Sequence, residues 1–478
     1  MTNLKISNTG IYKFIKAECG AGKTKWLIDE INNSDNSDNR FLIVQGKLDL
    51  LKQTFESLLI SHKLITSLEY SNVETSINEF LLKPHCNVLG ITSKSFFKID
   101  PVLLVGWRVY LDDVVNFHAY KIINESNNKI KAILEGDIFS KFEEISEKYS
   151  TATKSCDVTG DILKIISSQF EMIDVNDYFL FNNDYFQKKY TVVDNVSIED
   201  YDDKCQLTML AWIDIQKYKN CDLTMLANKF EQSLLYKSDP TLFQEIQLNG
   251  LRERVVPLED RLVVRYFSKK KVLSKTFRDE HRAHFESVID YINNELQGTD
   301  YYYTRNNSES FSMNGKYVPV DTRGMNNLQK YKTCVWLVSC RPSPVESKMT
   351  ELFFGISGDD IVRAREYEIL YQFVQRGCLR DFDSSEQMIV YVFDEQQALS
   401  LGGKLEYIDI GIDDIVTGSV GHPRSEIPQK LRNAFAKWVK RNEGADIASY
   451  LKWKAKQELK YSQVNFESFD EKIFNLKK

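Results

Sequence analysis

Residues 12–24, YKFIKAECGAGKT, decide the fold of this chain. Tyr12 to Ile15 read as a short apolar strand, and Lys23 opens a helix that runs to about Ile31. Between them lies Ala17-Glu-Cys-Gly-Ala-Gly-Lys23-Thr24, a turn rich in small residues. Gly20, Ala21 and Gly22 let backbone N–H groups close around an anion, and the helix adds the positive end of its dipole. Lys23 reaches the outer oxygens of a polyphosphate, and the Thr24 hydroxyl ligates magnesium. This is the pattern of a Walker A phosphate loop, with Ala17 at a first position that is commonly glycine. The chemistry calls for a nucleoside triphosphate, taken as ATP, with Mg2+.

Outward from this loop, the first 185 residues alternate strands and helices. A polar loop at 32–39 precedes a strand at 41–44, and further strands are expected at 88–91 and 109–111. Short apolar strands separated by helices imply an α/β fold with a parallel sheet covered on both faces. The 109–111 strand ends in Asp112-Asp113. Asp112 is expected to hold the magnesium ion through its water shell, and Asp113 to orient or deprotonate the attacking water.

Residues 186–275 look different, and we read them as a connector or inserted module. Apolar spacing predicts helices at 207–215 and 223–236, and a strand at 261–267. From 276 the alternation resumes, with a helix at 284–296, strands at 301–303, 318–320, 333–338 and 388–393, and a helix at 366–380. Pro319 weakens the 318–320 strand. Beyond 400 a Gly-rich stretch gives way to amphipathic helical patterns at 429–442 and 446–461. The expected organisation is therefore a first lobe at 1–185, a connector at 186–275, a second lobe at 276–400 and a mostly helical accessory region at 401–478.

Composition adds exclusions. The chain has 478 residues and a net charge of -6, with 42% hydrophobic and 27% charged residues, an ordinary globular balance. No stretch approaches the roughly 18 apolar residues of a membrane span, and Met1 to Gly10 lacks an apolar signal core. We expect a cytoplasmic protein, in the host cytoplasm if viral, without a membrane partner. The 8 cysteines include no Cys-x-x-Cys pair, which argues against a disulfide framework or a thiolate zinc site. A mild negative charge does not announce nucleic-acid binding, but a motor can confine its positive charge to one groove.

The order of elements resembles a superfamily 2 helicase, over residues 17–394. Residues 41–54, FLIVQGKLDLLKQT, resemble that family's first strand-edge motif, with Gln45 and Lys47 as the candidates to touch the nucleic-acid backbone. Residues 88–96, VLGITSKSF, resemble a later segment whose Thr92, Ser93 and Lys94 contact phosphates. Ser150-Thr151-Ala152-Thr153 resembles the Ser-Ala-Thr motif that couples hydrolysis to lobe movement. Residues 301–306, YYYTRN, resemble the fourth motif and bring Thr304 and Arg305. Asp321-Thr322-Arg323-Gly324-Met325-Asn326 resembles the fifth, bringing Thr322, Arg323 and Asn326.

Gln372-Phe-Val-Gln-Arg376-Gly-Cys-Leu-Arg380 resembles the sixth motif. Gln372, Arg376 and Arg380 recur every four residues and so share one helical face. Arg376 or Arg380 would neutralise γ-phosphate charge as an arginine finger.

The resemblance implies two RecA-like parallel-sheet P-loop lobes with a connecting insert and a helical C-terminal extension. It also implies ATP hydrolysis between the lobes and nucleic acid as partner, with single-stranded or forked DNA favoured and RNA open. Protein partners would meet the C-terminal region. Two departures stand out: Asp113 occupies the position of the family's usual glutamate, and the final arginine follows its predecessor by four residues where three is common. Such variants resemble helicase-like proteins of phages and mobile elements. A translocase or remodeller without unwinding remains open, as do a slow nucleotide-dependent assembly factor and a genome-packaging ATPase. The packaging reading would need a nuclease acid cluster. The Asp409, Asp413 and Asp414 run reads instead as solvated turn residues.

Overall fold

The apolar runs around the phosphate loop pair into one parallel sheet. The computed structural model describes residues 11–34, 39–126, 130, 134, 138–140, 142–146, 148–155, 175–182 and 204–415, and of the C-terminal segment 431, 434, 435, 438 and 447–458. The chain opens with β1 (Tyr12–Lys16), β2 (Arg40–Gln45), β3 (His62–Leu64), β4 (Val88–Thr92) and β5 (Trp107–Asp112). It continues through β6 (His118–Ser126), β7 (Glu143–Ser146), β8 (Tyr149–Thr153), β9 (Tyr178–Asn182) and β10 (Lys204–Trp212). Next come β11 (Asp222–Ala227) and β12 (Phe243–Glu245). The last six strands are β13 (Leu262–Ser268), β14 (Tyr302–Arg305), β15 (Lys316–Tyr317), β16 (Thr333–Leu337), β17 (Met388–Asp394) and β18 (Lys404–Tyr407).

Three sheets result. The first lobe has the order β12-β1-β11-β5-β2-β4-β3, with every pairing parallel. The second has β15-β14-β16-β17-β13-β18, also parallel throughout. The third, β6-β10-β9-β8-β7, is antiparallel. The α/β expectation of two parallel-sheet lobes thus holds.

Both faces of the first sheet are covered. Leu42, Val44, Leu89, Ile91, Val109 and Leu111 pack on one side with the helix Val73–Leu82. Phe41, Ile43, Val88 and Tyr110 pack on the other with the helices Lys23–Asn32 and Leu48–Glu56. Two-sided burial explains why these strands read as unbroken apolar runs.

The same burial misleads further along. Residues 207–215 and 223–236, expected as helices, carry β10 and β11. Leu207, Met209 and Ala211 face one core and Leu210 another, while Met225 and Leu226 divide between the two faces of the first sheet. A central strand buried on both faces has no alternation to betray it.

The domain boundaries shift accordingly. The first lobe does not end at 185: β11 and β12 complete its sheet. The inserted module is the antiparallel sheet of 118–212, which interrupts the first lobe between β5 and β11. Of the expected connector at 186–275, residues 186–203 lie outside the described residues. The second lobe runs past 400, because β18 pairs with β13.

Within the second lobe, the helix expected at 366–380 is shorter and compound. A π turn at Arg363–Tyr367 leads into the helix Glu368–Val374, and a separate 3-10 turn follows at Cys378–Arg380. The strand expected at 318–320 falls at Lys316–Tyr317 instead. Asp413 lies in a turn, Ile412–Asp414, as expected, but its carboxylate is engaged rather than merely solvated. Its carboxylate accepts from Ser268 Oγ at 2.6 Å, from the backbone N–H of Lys269 and Lys270, and from the Tyr407 hydroxyl, closing the end of β13.

The chain divides into two compact units, 1–413 and 414–478. In the second unit the helix Ile447–Glu458 is described, with Phe435, Trp438, Tyr450 and Trp453 packed ring on ring. Most of the helix expected at 429–442 lies outside the described residues. Among the described residues, no helix is long and apolar enough to cross a membrane.

Candidate active site

The phosphate loop joins β1 to the helix Lys23–Asn32 as its residue types require. Gly20 and Gly22 hold φ of 95° and 103°, in the left-handed region that a side chain disfavours. Lys23 is buried and donates from Nζ to the Ala17 carbonyl at 2.7 Å. Thr24 Oγ1 donates to Asp112 Oδ2 at 3.0 Å, bringing together the two oxygens expected to hold magnesium. Hydroxyl and carboxylate oxygens suit that hard cation. Burial first, and the charge of Asp113 second, raise the Asp112 carboxyl above its usual range, against Gln45, Lys23 and Thr24. A cation there would relieve that buried charge.

Asp112 is aimed by a residue assigned another role. Gln45 was expected at the nucleic-acid backbone but is fully buried. Its Nε2 donates to Asp112 Oδ2 at 2.6 Å, and its Oε1 accepts from Thr54 Oγ1 at 3.1 Å. β2 and β5 are neighbours with Gln45 opposite Asp112, so the sheet register fixes the contact.

Asp113 turns sharply out of β5, with φ 56°, a conformation uncommon outside glycine. Its N–H donates to Leu226 O at 2.9 Å, and its carbonyl accepts from Arg323 Nη1 at 3.2 Å. One cleft, of about 280 Å³, is lined by Gly20, Lys23, Thr24, Asp112 and Asp113 from the first lobe and by Asn326, Arg376 and Arg380 from the second. Arg376 and Arg380 therefore reach one space, though by a different route from the shared helical face. The helix stops at Val374, and the turn after Gly377 carries Arg380 back to the phosphate loop. A Cβ on Gly20 would stand 3.4 Å from Arg380 Cδ and 3.0 Å from the Phe382 ring. Arg376 is buried and donates to Met325 O at 3.4 Å, while its Nε finds no partner among the described residues.

The remaining expected residues separate. Lys47 Nζ lies 3.2 Å from Asp321 Oδ2, and Arg323 grips the same carboxylate with Nε and Nη2, each at 2.9 Å. Against burial, Arg323 and then Lys47 hold Asp321 down to about 2. Asn326 donates to Gln53 Oε1 at 3.1 Å and lines the cleft at the phosphate loop rather than an outer groove. Thr92 ends β4 and Ser93 and Lys94 follow it, Thr92 Oγ1 lying 3.3 Å from Ser95 Oγ. Thr304 and Thr322 are buried, which corrects the expectation that their hydroxyls meet a substrate backbone. Arg305 lies over the rings of Tyr317 and Phe311.

Thr151, Ala152 and Thr153 are also displaced. They form β8 of the inserted antiparallel sheet, and they do not line the cleft at the phosphate loop. The strand between β1 and β5 is β11, and its end reaches the second lobe. Asn228, just past β11, donates to Glu368 Oε2 at 2.9 Å, and Gln372 donates to Glu368 Oε1 at 2.9 Å. Gln372 thus meets Glu368 and does not line the cleft at the phosphate loop. These side chains and Asp113 line a second cavity of about 280 Å³. Burial, with the Asp113 charge beside it, pushes the Glu368 carboxyl up to about 7 against the amide hydrogen bonds.

Arg254, in the segment between the lobes, was also missed. It donates to Glu18 Oε2, Leu379 O and Gln375 Oε1, each at 2.7 Å, with its guanidinium 3.9 Å from the centre of the Phe382 ring. The backbone N–H of Arg252 donates to Ala21 O at 2.9 Å. The pair Arg252 and Arg254 lies inside the expected 186–275 connector, and no local pattern there marks either residue.

No protein-family model matches the chain, and no curated protein matches it in sequence. Solved structures similar to it include an XPD helicase, at TM-score 0.43 and 10% identity, covering 83% of this chain and 96% of that one. Dbp5 of S. cerevisiae bound to RNA and ADP BeF3 gives TM-score 0.36 and 9% identity over 83% of this chain and 85% of that one. Mss116p bound to ssRNA and AMP-PNP gives TM-score 0.34 and 11% identity over 91% and 79%.

Proposed function

We propose that this chain is an ATP-hydrolysing motor that moves along or unwinds nucleic acid. The observation that carries the reading is the single cleft holding Lys23, Thr24 and Asp112 on one wall and Arg376 and Arg380 on the other. Lys23 and the glycine turn would cradle the phosphates, Thr24 and Asp112 would hold Mg2+, and Asp113 would orient the attacking water. The left-handed turn at Asp113 re-aims a side chain one methylene shorter than the family's glutamate.

Hydrolysis between two lobes moves one against the other. Lys47 and Arg323, on opposite lobes and joined through Asp321, are the best candidates to grip a phosphate backbone. Thr92, Ser93, Lys94 and Arg305 stand at other strand ends. Contacts of this kind read little sequence, so binding should weaken steeply with salt.

An ATPase assay with single-stranded DNA, duplex DNA and RNA side by side tests the reading. Stimulation by at least one of them, abolished in Lys23→Ala, is expected. A Lys23→Ala protein that hydrolyses ATP at the wild-type rate would sink it. A forked duplex in the same assay separates unwinding from translocation alone.

A further inference from the structure

Where the inserted sheet meets the second-lobe helix Pro344–Phe354, there is a cavity of about 320 Å³. Three aromatic rings line it, beside Thr151, Ala152 and Thr153 of β8. Tyr178 of β9 and Trp212 of β10 stack at 5.5 Å with 23° between their planes, and Phe353 of the helix closes the third side 4.8 Å from Trp212. Trp212 is held in place from behind by Phe354, edge-on at 5.1 Å. Phe353 is 38% exposed, an unusual position for so large an apolar ring.

The rim is polar and directional. Ser140 Oγ accepts from the backbone N–H of Thr153 at 2.9 Å and from Thr153 Oγ1 at 2.8 Å, so its own proton remains to be donated. The carboxylate of Glu143 stands exposed beside it. Among the described residues no lysine or arginine lines the cavity. Three aromatic rings with a hydroxyl donor at Ser140 and a carboxylate acceptor at Glu143 suit a flat neutral heterocycle. The lone carboxylate repels a phosphate and accepts from an amino group.

We propose that this cavity takes one unpaired nucleobase carrying an exocyclic amino group, from the strand on which the motor acts. The proposal rests on the reading of the chain as a nucleic-acid motor. The base stacks against Phe353 and Tyr178, with its amino group toward Glu143 and a ring acceptor toward Ser140. Stacking tolerates any ring, and the carboxylate favours adenine, cytosine and guanine, which carry an exocyclic amino group, over thymine. Two walls belong to the insertion in the first lobe and the third to the second lobe. Lobe movement therefore opens and closes the grip on the base in step with hydrolysis.

The test uses the full chain and single-stranded oligonucleotides in which one 2-aminopurine is moved along the strand. Stacking quenches this base, so one position should lose fluorescence on binding. Phe353→Ala should restore the signal at that position and weaken binding about five-fold or more. Glu143→Ala, at an exposed site, should weaken adenine strands and leave thymine strands unchanged. If no position is quenched, or if both variants bind and quench as wild type does, the proposal is overturned. Stimulation of ATP hydrolysis, measured in the same samples, separates the failures. Stimulation without a quenched base removes this site alone. Neither stimulation nor binding removes the motor reading, and the base site with it.

Discussion

At the scale of single residues, the nucleotide cleft poses a choice between two arginines. Arg380 lies against the phosphate loop beside Gly20, and burial with Arg376 nearby lowers its basicity. Arg376 is the more constrained. It is buried, and its Nε is left without a partner among the described residues. A buried guanidinium with an unused donor is stabilised when an anion arrives. Arg376→Ala should therefore lower kcat by about 10³-fold or more while changing the KM for ATP much less. Steady-state kinetics at saturating nucleic acid checks this, and an equal loss in Arg380→Ala alone would reverse the assignment. The loop residues Gly20 to Thr24 and the acid Asp112 were legible because their chemistry is local: strand, turn, helix, and an acid at a strand end. Gln45, Asn228, Arg254 and Glu368 were not. Each works through a partner 67 to 236 positions away in the chain, and no local pattern distinguishes such a residue from a surface one.

At the scale of elements, the same limit appears as a mistaken helix. β11 carries an apolar run with both faces buried, and only its place between β1 and β5 shows what it is. Its end at Asn228 and the helix Glu368–Val374 are joined by one carboxylate, which makes Glu368 the bridge between the strand beside Asp113 and the helix leading to Arg376. That bridge titrates. The Glu368 carboxyl is raised from 4.5 to about 7, by burial first, so the folded protein keeps a proton that the unfolded chain has released. The stability this contributes is complete below the ordinary glutamate range and is lost as pH rises through about 7. Glu368→Gln cannot titrate. The stability of wild type relative to this variant should therefore be greatest near pH 5 and smaller at pH 8, by about 1–3 kcal/mol. Thermal melts of both proteins at the two pH values decide it, and a constant gap would show that Glu368 ionises normally.

At the scale of the whole 1–413 unit, the first lobe is one sheet written in two pieces of sequence. Two parallel neighbours such as β5 and β11 need a crossover of about a dozen residues, yet here a five-stranded antiparallel sheet stands between them. The alternation of strands and helices revealed the lobes but not this interruption, because the apolar runs of β9 and β10 read like those of the strands they separate, while β7 and β8 are too polar to stand out as strands. The insertion leaves and re-enters at one point: the N–H of Ile213 donates to Phe117 O at 2.9 Å, and His118 pairs with Trp212. Residues 113–117 and 213–221 remain outside it, enough to make the crossover alone. The insertion also holds the second lobe, through the contacts of Trp212 and His118 with Phe354 and of Leu180 and Leu210 with Met349. Replacing 118–212 with a short Gly-Ser link should therefore leave a chain that folds and still binds ATP. Apolar burial lost from the Pro344–Phe354 helix should lower its Tm by about 5–10 °C. If the insertion is what grips and separates the strands, the shortened protein also loses unwinding of a forked duplex while keeping its nucleotide affinity. A shortened chain that cannot bind ATP would instead make the antiparallel sheet part of the first lobe's own core.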